Sequence, residues 1–303
     1  MTGCLLFNKM PGINSFKSLQ PVKKALKTPK VCHTGTLDRF AQGLLVILTG
    51  RAVKLSSYFT GCDKEYRAIL RFGEETDTLD PEGKVIAGAP VPERRELEAA
   101  LPDFTGEILQ APPNYSAIHI NGRRAHELAR AGAEIEMKKR PVNIYRLSLV
   151  SWDPPHAELE VHCSSGTYIR SLARDLALAI GSRAHLRFLK RTKVGNFLLE
   201  NALSLPSEKS DDQTEAMIED LVKTALLPLS PELFSKLGIP SINIDEKTAK
   251  AVSYGSADIL RNTAIPRELA KNSAITLFGP RSFAALIEQK NGLWKYGFVN
   301  AAD

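Results

Sequence analysis

One aspartate occupies a turn whose sequence suits an active-site loop. Asp38 ends the run His33-Thr34-Gly35-Thr36-Leu37-Asp38, and the apolar run Gly43-Leu44-Leu45-Val46-Ile47-Leu48 follows it. The apolar run predicts a buried strand or a buried helical turn, which would hold the preceding loop rigidly. A carboxylate on such a loop can act as a nucleophile or as a charge partner for a substrate. The same pattern also fits a turn in which the aspartate only satisfies backbone groups.

Arg170 is a second candidate for chemistry because it lies where a predicted strand meets a predicted helix. Apolar and polar residues alternate over 157–163, which predicts a strand with one buried face. The next apolar residues have helical spacing up to Gly181, and they are Ile169, Leu172, Ala173, Leu176 and Ile180. Arg170 therefore falls in the first turn of the helix, directed at whatever the strand end faces.

Other patterns supply the elements that would position these residues. Strands are predicted over 4–7 and 66–72, and helices over 18–26 and 93–101, the first capped by Ser18 with Pro21 in its opening turn. The stretch 111–146 mixes proline, glycine and basic residues and predicts an exposed excursion. Residues 208–220 are acidic and indicate a solvated connection or helix. Beyond residue 228 we expect a small β module, in which Asn291-Gly292 between two apolar runs predicts a hairpin.

Composition excludes several classes of protein. The chain has 303 residues, of which 43% are hydrophobic, enough for more than one domain with a full core. It has no apolar run of the roughly 18 to 20 residues that a membrane span needs, and its first residues do not resemble a signal peptide. Its four cysteines show no Cys-x-x-Cys spacing, which argues against a structural zinc site or a disulfide framework. These features predict a soluble protein of the reducing cytoplasm.

The charge of the chain is distributed unevenly. Residues 1–200 carry 29 Lys and Arg against 21 Asp and Glu, whereas residues 201–303 carry 11 against 13. Clustered cations and a pI near 9.1 are typical of proteins that bind a polyanion such as nucleic acid, although solvated basic faces are also common. The clusters are Lys23, Lys24, Lys27 and Lys30; Arg123 and Arg124; Lys138, Lys139 and Arg140; and Arg183, Arg187, Lys190, Arg191 and Lys193.

Motifs for nucleotide or metal chemistry are absent from the sequence. It contains no Gly-x-x-x-x-Gly-Lys-Ser/Thr, no Gly-x-Gly-x-x-Gly, no His-Glu-x-x-His and no Gly-x-Ser-x-Gly. His33 has no second histidine at helical spacing, so a satisfied loop histidine or a stacking ring is the better interpretation. We therefore predict chemistry that needs neither a cofactor nor a metal.

Four separated segments resemble the TruB-type tRNA pseudouridine synthases. They are Leu5-Leu6-Phe7-Asn8-Lys9-Met10-Pro11-Gly12 with Ser15; His33 to Asp38 with Ala41, Gly43 and Leu44; Lys64-Glu65-Tyr66 with Pro112-Pro113-Asn114-Tyr115-Ser116-Ala117 and Gly122-Arg123-Arg124-Ala125; and Cys163 to Leu172 with Asp175, Leu189 and Arg191. Order and spacing match over residues 1 to about 200. The second and fourth segments are highly specific.

The resemblance implies an α+β architecture, the pseudouridine synthase fold, with a mixed, largely antiparallel sheet flanked by helices. It implies a catalytic domain over residues 1–227, an RNA-gripping insertion at about 115–146, and a small C-terminal β module over 228–303 similar to a PUA domain. A chain without a basic tail is similar to the bacterial stand-alone enzymes. The resemblance thus implies a monomer that binds tRNA and needs no protein partner.

The reaction implied is the isomerisation of a uridine in the T arm of tRNA, uridine 55 in the family, to pseudouridine. The N-glycosidic bond is broken, the uracil rotates, and C5 joins the sugar. Asp38 matches the catalytic aspartate of the family, Arg170 its partner, and Tyr66 the active-site tyrosine. Leu189 matches the apolar residue that closes the other face of the base. Without the motifs, Tyr66 and Leu189 would be interpreted as core residues.

RNA contacts are implied as well. The target base must leave the folded RNA, and His33 matches the residue that fills the gap. Further residues are assigned to RNA binding by the same resemblance, namely Lys9, Tyr115, Arg123, Arg124, Lys138, Lys139 and Arg140.

The sequence departs from the family pattern at several positions. Arg39 stands where the family has proline and is expected to loosen the turn after the nucleophile, and Asn14 and Gln42 replace threonines. An RNA-binding or tRNA-folding protein without catalysis is the main alternative function. A glycosidase-like hydrolase is another, but it needs a second carboxylate that these motifs do not supply.

Overall fold

The computed structural model describes residues 1–120, 122–133, 136–206, 212–256, 260, 265, 266, 268, 269 and 271–300. Seventeen strands lie in these residues: β1 Gly3–Lys9, β2 Val31–His33, β3 Gln42–Thr49, β4 Lys64–Phe72, β5 Glu74–Thr76, β6 Val85–Gly88, β7 Gly106–Gln110, β8 His119–Ile120, β9 Arg123–Arg124, β10 Arg140–Asp153, β11 His156–Cys163, β12 Ala184–Val194, β13 Phe197–Leu198, β14 Ser241–Asn243, β15 Ala274–Phe278, β16 Phe283–Lys290 and β17 Leu293–Val299.

Eight α-helices are found in the same residues: α1 Gln20–Ala25, α2 Ser56–Thr60, α3 Arg94–Ala100, α4 Ala125–Arg130, α5 Ile169–Ala179, α6 Asp212–Thr224, α7 Pro231–Ser235 and α8 Glu246–Ser253. Four 3-10 helices accompany them, namely Lys17–Leu19, Gly50–Leu55, Leu101–Phe104 and Leu199–Asn201. None of the helices in the described part of the chain is long and apolar enough to cross a membrane.

The main sheet has the strand order β1-β3-β12-β4-β11-β10-β7, with β2 on β3 and β13 on β12. All its neighbours are antiparallel except β3 and β12, where Gly43 is in register with Arg191. Gly43 has φ 107°, and a Cβ there would lie 2.3 Å from the Arg191 carbonyl oxygen. Glycine is therefore needed for this close approach. The prediction of an α+β fold with a mixed, largely antiparallel sheet is confirmed.

Alternation in the strands decides which face of the sheet carries the core. Tyr66, Ala68, Leu70 and Phe72 of β4 are buried, while the residues between them are more exposed. The buried face packs against α5. Side chains of β4 and of α5, such as Leu172, belong to one hydrophobic cluster. Strand β4 and helix α5 thus bring Tyr66 and Arg170 to the same side of the sheet.

The C-terminal part forms a separate four-stranded sheet in the order β14-β15-β16-β17. Asn291 and Gly292 have φ values of 54° and 76° and form the predicted two-residue turn between β16 and β17. The module shares one continuous hydrophobic cluster with the N-terminal part, in which Phe59 and Phe197 pack with Phe234 and Phe283. A domain boundary at 228 stays a prediction.

Two local predictions need correction, and a third is borne out where the structure describes it. Ser18 does not cap the first helix, because it lies in the 3-10 helix Lys17–Leu19 and its hydroxyl bonds to the Asn14 carbonyl oxygen. Residues 140–146 are part of β10 in the main sheet, with Val142 and Ile144 buried, so they do not belong to an exposed excursion. The acidic stretch forms α6 from residue 212 onward, which agrees with the helix that was one of its two predicted states, and residues 208–211 lie outside the described part.

Candidate active site

The Asp38 turn joins β2 to β3 and is fastened by Ser15. The Ser15 hydroxyl donates to the Leu37 carbonyl oxygen at 2.8 Å and accepts from the Leu37 amide at 2.9 Å. On the other side of the aspartate, the Ala41 amide donates to the Asp38 carbonyl oxygen at 3.2 Å. The backbone on both sides of Asp38 is therefore fixed, and its side chain is 33% exposed.

Lys9 lies beneath this turn and does not reach the surface. Its side chain is fully buried, and its ammonium donates to the carbonyl oxygens of Ala41 at 2.6 Å, Met10 at 3.1 Å and Arg39 at 3.3 Å. The prediction that Lys9 binds substrate directly is therefore wrong. Lys9 positions the segment that follows Asp38, and burial lowers its pKa to about 8 against the opposing charge of Asp38.

The structure brings Arg170 and Asp38 together. Arg170 Nη2 donates to Asp38 Oδ1 at 2.9 Å, and Arg170 Nε lies 2.8 Å from Oδ2, so the ion pair has one hydrogen bond and a second close charge contact. Arg170 occupies the first turn of α5, as its strand-end position in the sequence predicted. Its guanidinium also donates to the carbonyl oxygens of Thr78 at 2.8 Å and Tyr115 at 3.1 Å.

A second carboxylate, which the sequence patterns did not reveal, lies beside the same guanidinium. Asp80 Oδ2 is 3.6 Å from Arg170 Nη1, and Asp80 is buried. Its other oxygen accepts from the Thr78 hydroxyl at 2.6 Å and from the Glu82 amide at 3.0 Å. Leu79 has φ 61°, an uncommon conformation for a leucine, and such backbone outliers cluster at functional sites. The sequence interpretation recognised this segment only as a polar loop.

The ionisation of Asp38 reflects opposing influences. Burial raises its pKa above the ordinary value of 3.8, and Arg170 lowers it. The charge of Asp80 raises the pKa of Asp38 further, and the charge of Lys9 lowers it. The net direction is upward, so Asp38 holds its proton to a higher pH than an exposed aspartate does.

Tyr66 and Leu189 lie on adjacent strands of the same face. Both side chains are buried and belong with Leu37 to one hydrophobic cluster. Burial raises the pKa of the Tyr66 phenol, and the Arg191 guanidinium opposes this shift. Tyr66 is therefore a neutral phenol at physiological pH.

Arg191 is a buried cation that the motif matched but that we did not predict to act in the site. Its Nε donates to the Leu44 carbonyl oxygen at 2.8 Å, and its Nη2 donates to the Gly35 carbonyl oxygen at 3.0 Å. It is in register with Tyr66 across the β4 and β12 pair. Arg191 thus connects the start of β3, the turn before Asp38 and the tyrosine. Its place within a specific motif was the signal that could have identified it.

His33 stands at the end of β2, just before the turn. Its ring is partly buried, and Nδ1 has no hydrogen-bond partner among the described residues. Burial lowers the pKa of the imidazole, and Arg191 adds to the effect. The ring is therefore neutral at physiological pH, and its buried Nδ1 makes no hydrogen bond to the described residues.

The basic residues assigned to RNA binding fall into two groups. Arg123 and Arg124 lie in the exposed hairpin of β8 and β9, and Lys138 and Lys139 are also exposed. Arg140 differs, because its Nη2 donates to the Gly166 carbonyl oxygen at 2.9 Å and its guanidinium lies over the Tyr168 ring. Arg140 supports the turn before α5, and its contact with phosphate stays a prediction.

Tyr115 contributes through its backbone. Its carbonyl oxygen accepts from Arg170, and its hydroxyl lies 3.5 Å from Asp77 Oδ2. Among the residues that the structure describes, no three His, Cys, Asp or Glu side chains come together in a way that could hold a metal.

Arg39 fastens the turn after Asp38, contrary to the expectation that it loosens it. Its Nε donates to the Gly12 carbonyl oxygen at 2.9 Å, and its own carbonyl oxygen accepts from the Gly12 amide at 2.8 Å. Its Nε also lies 3.6 Å from Glu82 Oε1. Arg39 thereby links three segments around the site, namely the 9–12 turn, the Asp38 turn and the loop of Asp80.

Comparison with known proteins identifies the class. Residues 23–169 match the family model described as TruB family pseudouridylate synthase, N terminal domain. Together with the Asp38 and Arg170 site, this match defines a pseudouridine synthase, an isomerase that modifies RNA. A tRNA pseudouridine synthase B of Borreliella burgdorferi (strain ZS7) is 45% identical over 247 residues, which are 80% of this chain and 83% of the relative. This chain belongs to the TruB family.

A second relative has the same name, and a solved structure shares the fold. A tRNA pseudouridine synthase B of Thiobacillus denitrificans (strain ATCC 25259 / T1) is 44% identical over 254 residues, covering 84% of this chain and 82% of the relative. Among solved structures, a chain in the crystal structure of a Cbf5-Nop10-Gar1 complex matches with a TM-score of 0.67 at 21% identity, covering 99% of this chain and 84% of that chain. This likeness extends the shared fold over the C-terminal module.

Proposed function

We propose that this protein converts uridine 55 in the T arm of tRNA to pseudouridine, with Asp38 as the nucleophile. The main observation in support is that the Asp38 carboxylate is partly exposed and makes two close contacts with the Arg170 guanidinium. The names of the relatives support tRNA as the substrate. No cofactor is required, because the reaction moves a base within one nucleotide and changes no oxidation state.

The carboxylate is oriented for attack on the nucleotide. Arg170 keeps a charged form available in a partly buried site, while the raised pKa of Asp38 makes the carboxylate more basic than an exposed one. After the glycosidic bond breaks, the uracil must turn without leaving. Tyr66 and Leu189 are placed to confine it between an aromatic and an aliphatic surface.

Tyr66 acts in this proposal as a neutral phenol. Its raised pKa opposes a role as a phenolate base, so its ring stacks on uracil and its hydroxyl lies near the C5 proton that is lost. His33 enters the RNA in place of the flipped base, which suits a neutral ring whose Nδ1 has no bond to the described protein. Arg123, Arg124, Lys138 and Lys139 contact phosphates from the insertion.

We also infer that the protein acts in the cytoplasm as a monomer and flips the target base out of the tRNA. Its four cysteines are all free, which supports a reducing compartment.

A labelled T-arm stem-loop tests the function. RNA with tritium at C5 of its uracils is incubated with the protein, and released tritium, pseudouridine position and free uracil are measured. We expect the wild type to release tritium and to form pseudouridine only at position 55, whereas the Asp38→Asn variant should release none. Free uracil would identify the hydrolase instead; Asp80, the second carboxylate, is buried behind Arg170 and is poorly placed to activate water. Tight RNA binding without either product would identify the non-catalytic alternative.

The pH dependence of catalysis should reveal the deprotonation of Lys9. Because the pKa of Lys9 is lowered to about 8, raising the pH through that value removes its charge and one of the three donors that hold the Asp38 turn. We expect kcat to fall through a midpoint near this pH. Single-turnover rates across the alkaline range measure it. A Lys9→Met variant should be slower and lack this decline, and an unchanged alkaline limb in that variant would contradict the assignment.

Arg39 should affect catalysis more than substrate binding. Arg39→Ala removes the bonds from the side chain to Gly12 and the approach to Glu82, so the Asp38 turn gains freedom. We expect kcat to fall by about three- to tenfold with KM little changed, because the loss of an exposed ionic contact usually has an effect of this size. Steady-state kinetics measure this change. Arg94→Ala, which removes a similarly exposed pair with Glu98, is the control and should leave both constants unchanged.

A further inference from the structure

The segment 10–16 is fastened to the Asp38 turn. Two connections fasten it there, the Gly12 amide to the Arg39 carbonyl oxygen at 2.8 Å and the paired bonds of Ser15 with Leu37. Both contacts are with residues next to Asp38 in the chain. The segment therefore adjoins the turn that carries Asp38.

Apolar side chains project from this segment into solvent. Phe16 is 61% exposed, and Met10 and Ile13 are also exposed. Single exposed apolar residues are common, but three within seven residues of a segment fastened to the Asp38 turn form a contact surface. The Phe16 ring is a flat apolar face of the kind on which nucleic-acid bases stack.

A cation accompanies this ring. Lys23 Nζ lies 4.8 Å from the centroid of Phe16. The neighbouring Lys24 and Lys27 pair with Glu215 and Glu219 of α6, whereas Lys23 forms no ion pair within the described residues. Its charge is therefore available to an anion that approaches Phe16.

We propose that Phe16 and Lys23 form a nucleotide subsite for an unpaired nucleotide of the substrate RNA that flanks the target uridine. The base stacks on the open face of Phe16, and the ammonium of Lys23 contacts its phosphate. This inference rests on the proposed function, because that function places the target uridine at Asp38. An apolar peptide would use the ring but would leave the adjacent cation without a partner, whereas a nucleotide uses both groups.

Binding is measured in the Asp38→Asn background, so that no reaction occurs. The probe is a T-arm stem-loop in which 2-aminopurine replaces one loop base at a time. We expect its fluorescence to be quenched at one flanking position and restored by Phe16→Ala. Phe16→Ala should raise the Kd by about tenfold, whereas Phe16→Trp should retain tight binding. Lys23→Gln should weaken binding and reduce the slope of log K against log salt by about 1.

Two controls separate this subsite from general effects. Tyr254 is 80% exposed in the C-terminal module, and Tyr254→Ala should leave the Kd unchanged. With Asp38 intact, Phe16→Ala should raise KM and leave kcat near the wild-type value. An unchanged Kd for Phe16→Ala would overturn the subsite. The same result is expected if a protein ligand, instead of RNA, uses this surface. Tritium release by the wild type decides the proposed function separately, so the two failures are distinguishable.

Discussion

Asp38→Asn is expected to abolish pseudouridine formation while leaving the fold and RNA binding intact. The amide has nearly the shape of the carboxylate but cannot act as a nucleophile, so we expect a loss of at least about ten-thousandfold in rate. The melting temperature should change by only a few degrees, because Arg170 keeps Asp80, Thr78 and Tyr115 as partners. Tritium release, thermal melting and the Kd for a T-arm stem-loop are the measurements.

The matched control is Asp153→Asn, which changes an exposed aspartate at the end of β10. This variant should release tritium at the wild-type rate. Wild-type release by Asp38→Asn would remove the carboxylate from the reaction. A large drop in melting temperature would show that Asp38 is mainly structural, the capping role that its turn sequence also allowed.

The parts of the fold that could be predicted from sequence are those with a local periodic signal. The alternation at 157–163 predicted β11, and the helical spacing from Ile169 predicted α5. Asn291-Gly292 predicted the hairpin of β16 and β17 because only a narrow set of turns accepts left-handed residues at both central positions. Boundaries and caps were less accurate, as Ser18 shows, because neighbouring packing decides them.

The site could be predicted only where residues form specific motifs. Asp80 escaped prediction because its relation to Asp38 depends on Arg170, which is 132 residues from Asp38 in the chain. Lys9 was assigned to RNA binding through the family resemblance, whereas in the structure three carbonyl oxygens replace water around its buried ammonium. Such compensation depends on long-range folding and has no periodic signal.

The contact between the two parts of the chain was likewise invisible in the sequence. Each half supplies ordinary apolar residues, and only the folded chain shows Phe59 and Phe197 in one cluster with Phe234 and Phe283. The side chain of Tyr58 also bonds to Glu288 across this contact. The C-terminal module is thus packed on the catalytic part, which its negative charge did not suggest.

Arg170→Gln should have the second largest effect, on both rate and stability. It removes the partner of Asp38 and Asp80 together and leaves the carbonyl oxygens of Thr78 and Tyr115 without their donor. We expect kcat to fall by about a thousandfold, as when preorganised charge stabilisation is lost. Unfolding free energy should fall by about 3–5 kcal/mol, the usual cost of breaking a buried ion pair. Single-turnover kinetics and urea unfolding measure the two effects.

The pH dependence of the residual activity distinguishes this role from simple loss of structure. Arg170 lowers the pKa of Asp38, so its removal raises that pKa and moves the acidic limb of the rate profile to higher pH. Arg174→Gln, one turn further along α5, removes a pair with Asp175 and should leave the limb in place. Adding Asp80→Asn to Arg170→Gln removes one of two neighbouring carboxylates, so it should lower the pKa of Asp38 and recover part of the stability. An acidic limb that stays fixed in all three variants would show that Arg170 does not control the charge of Asp38.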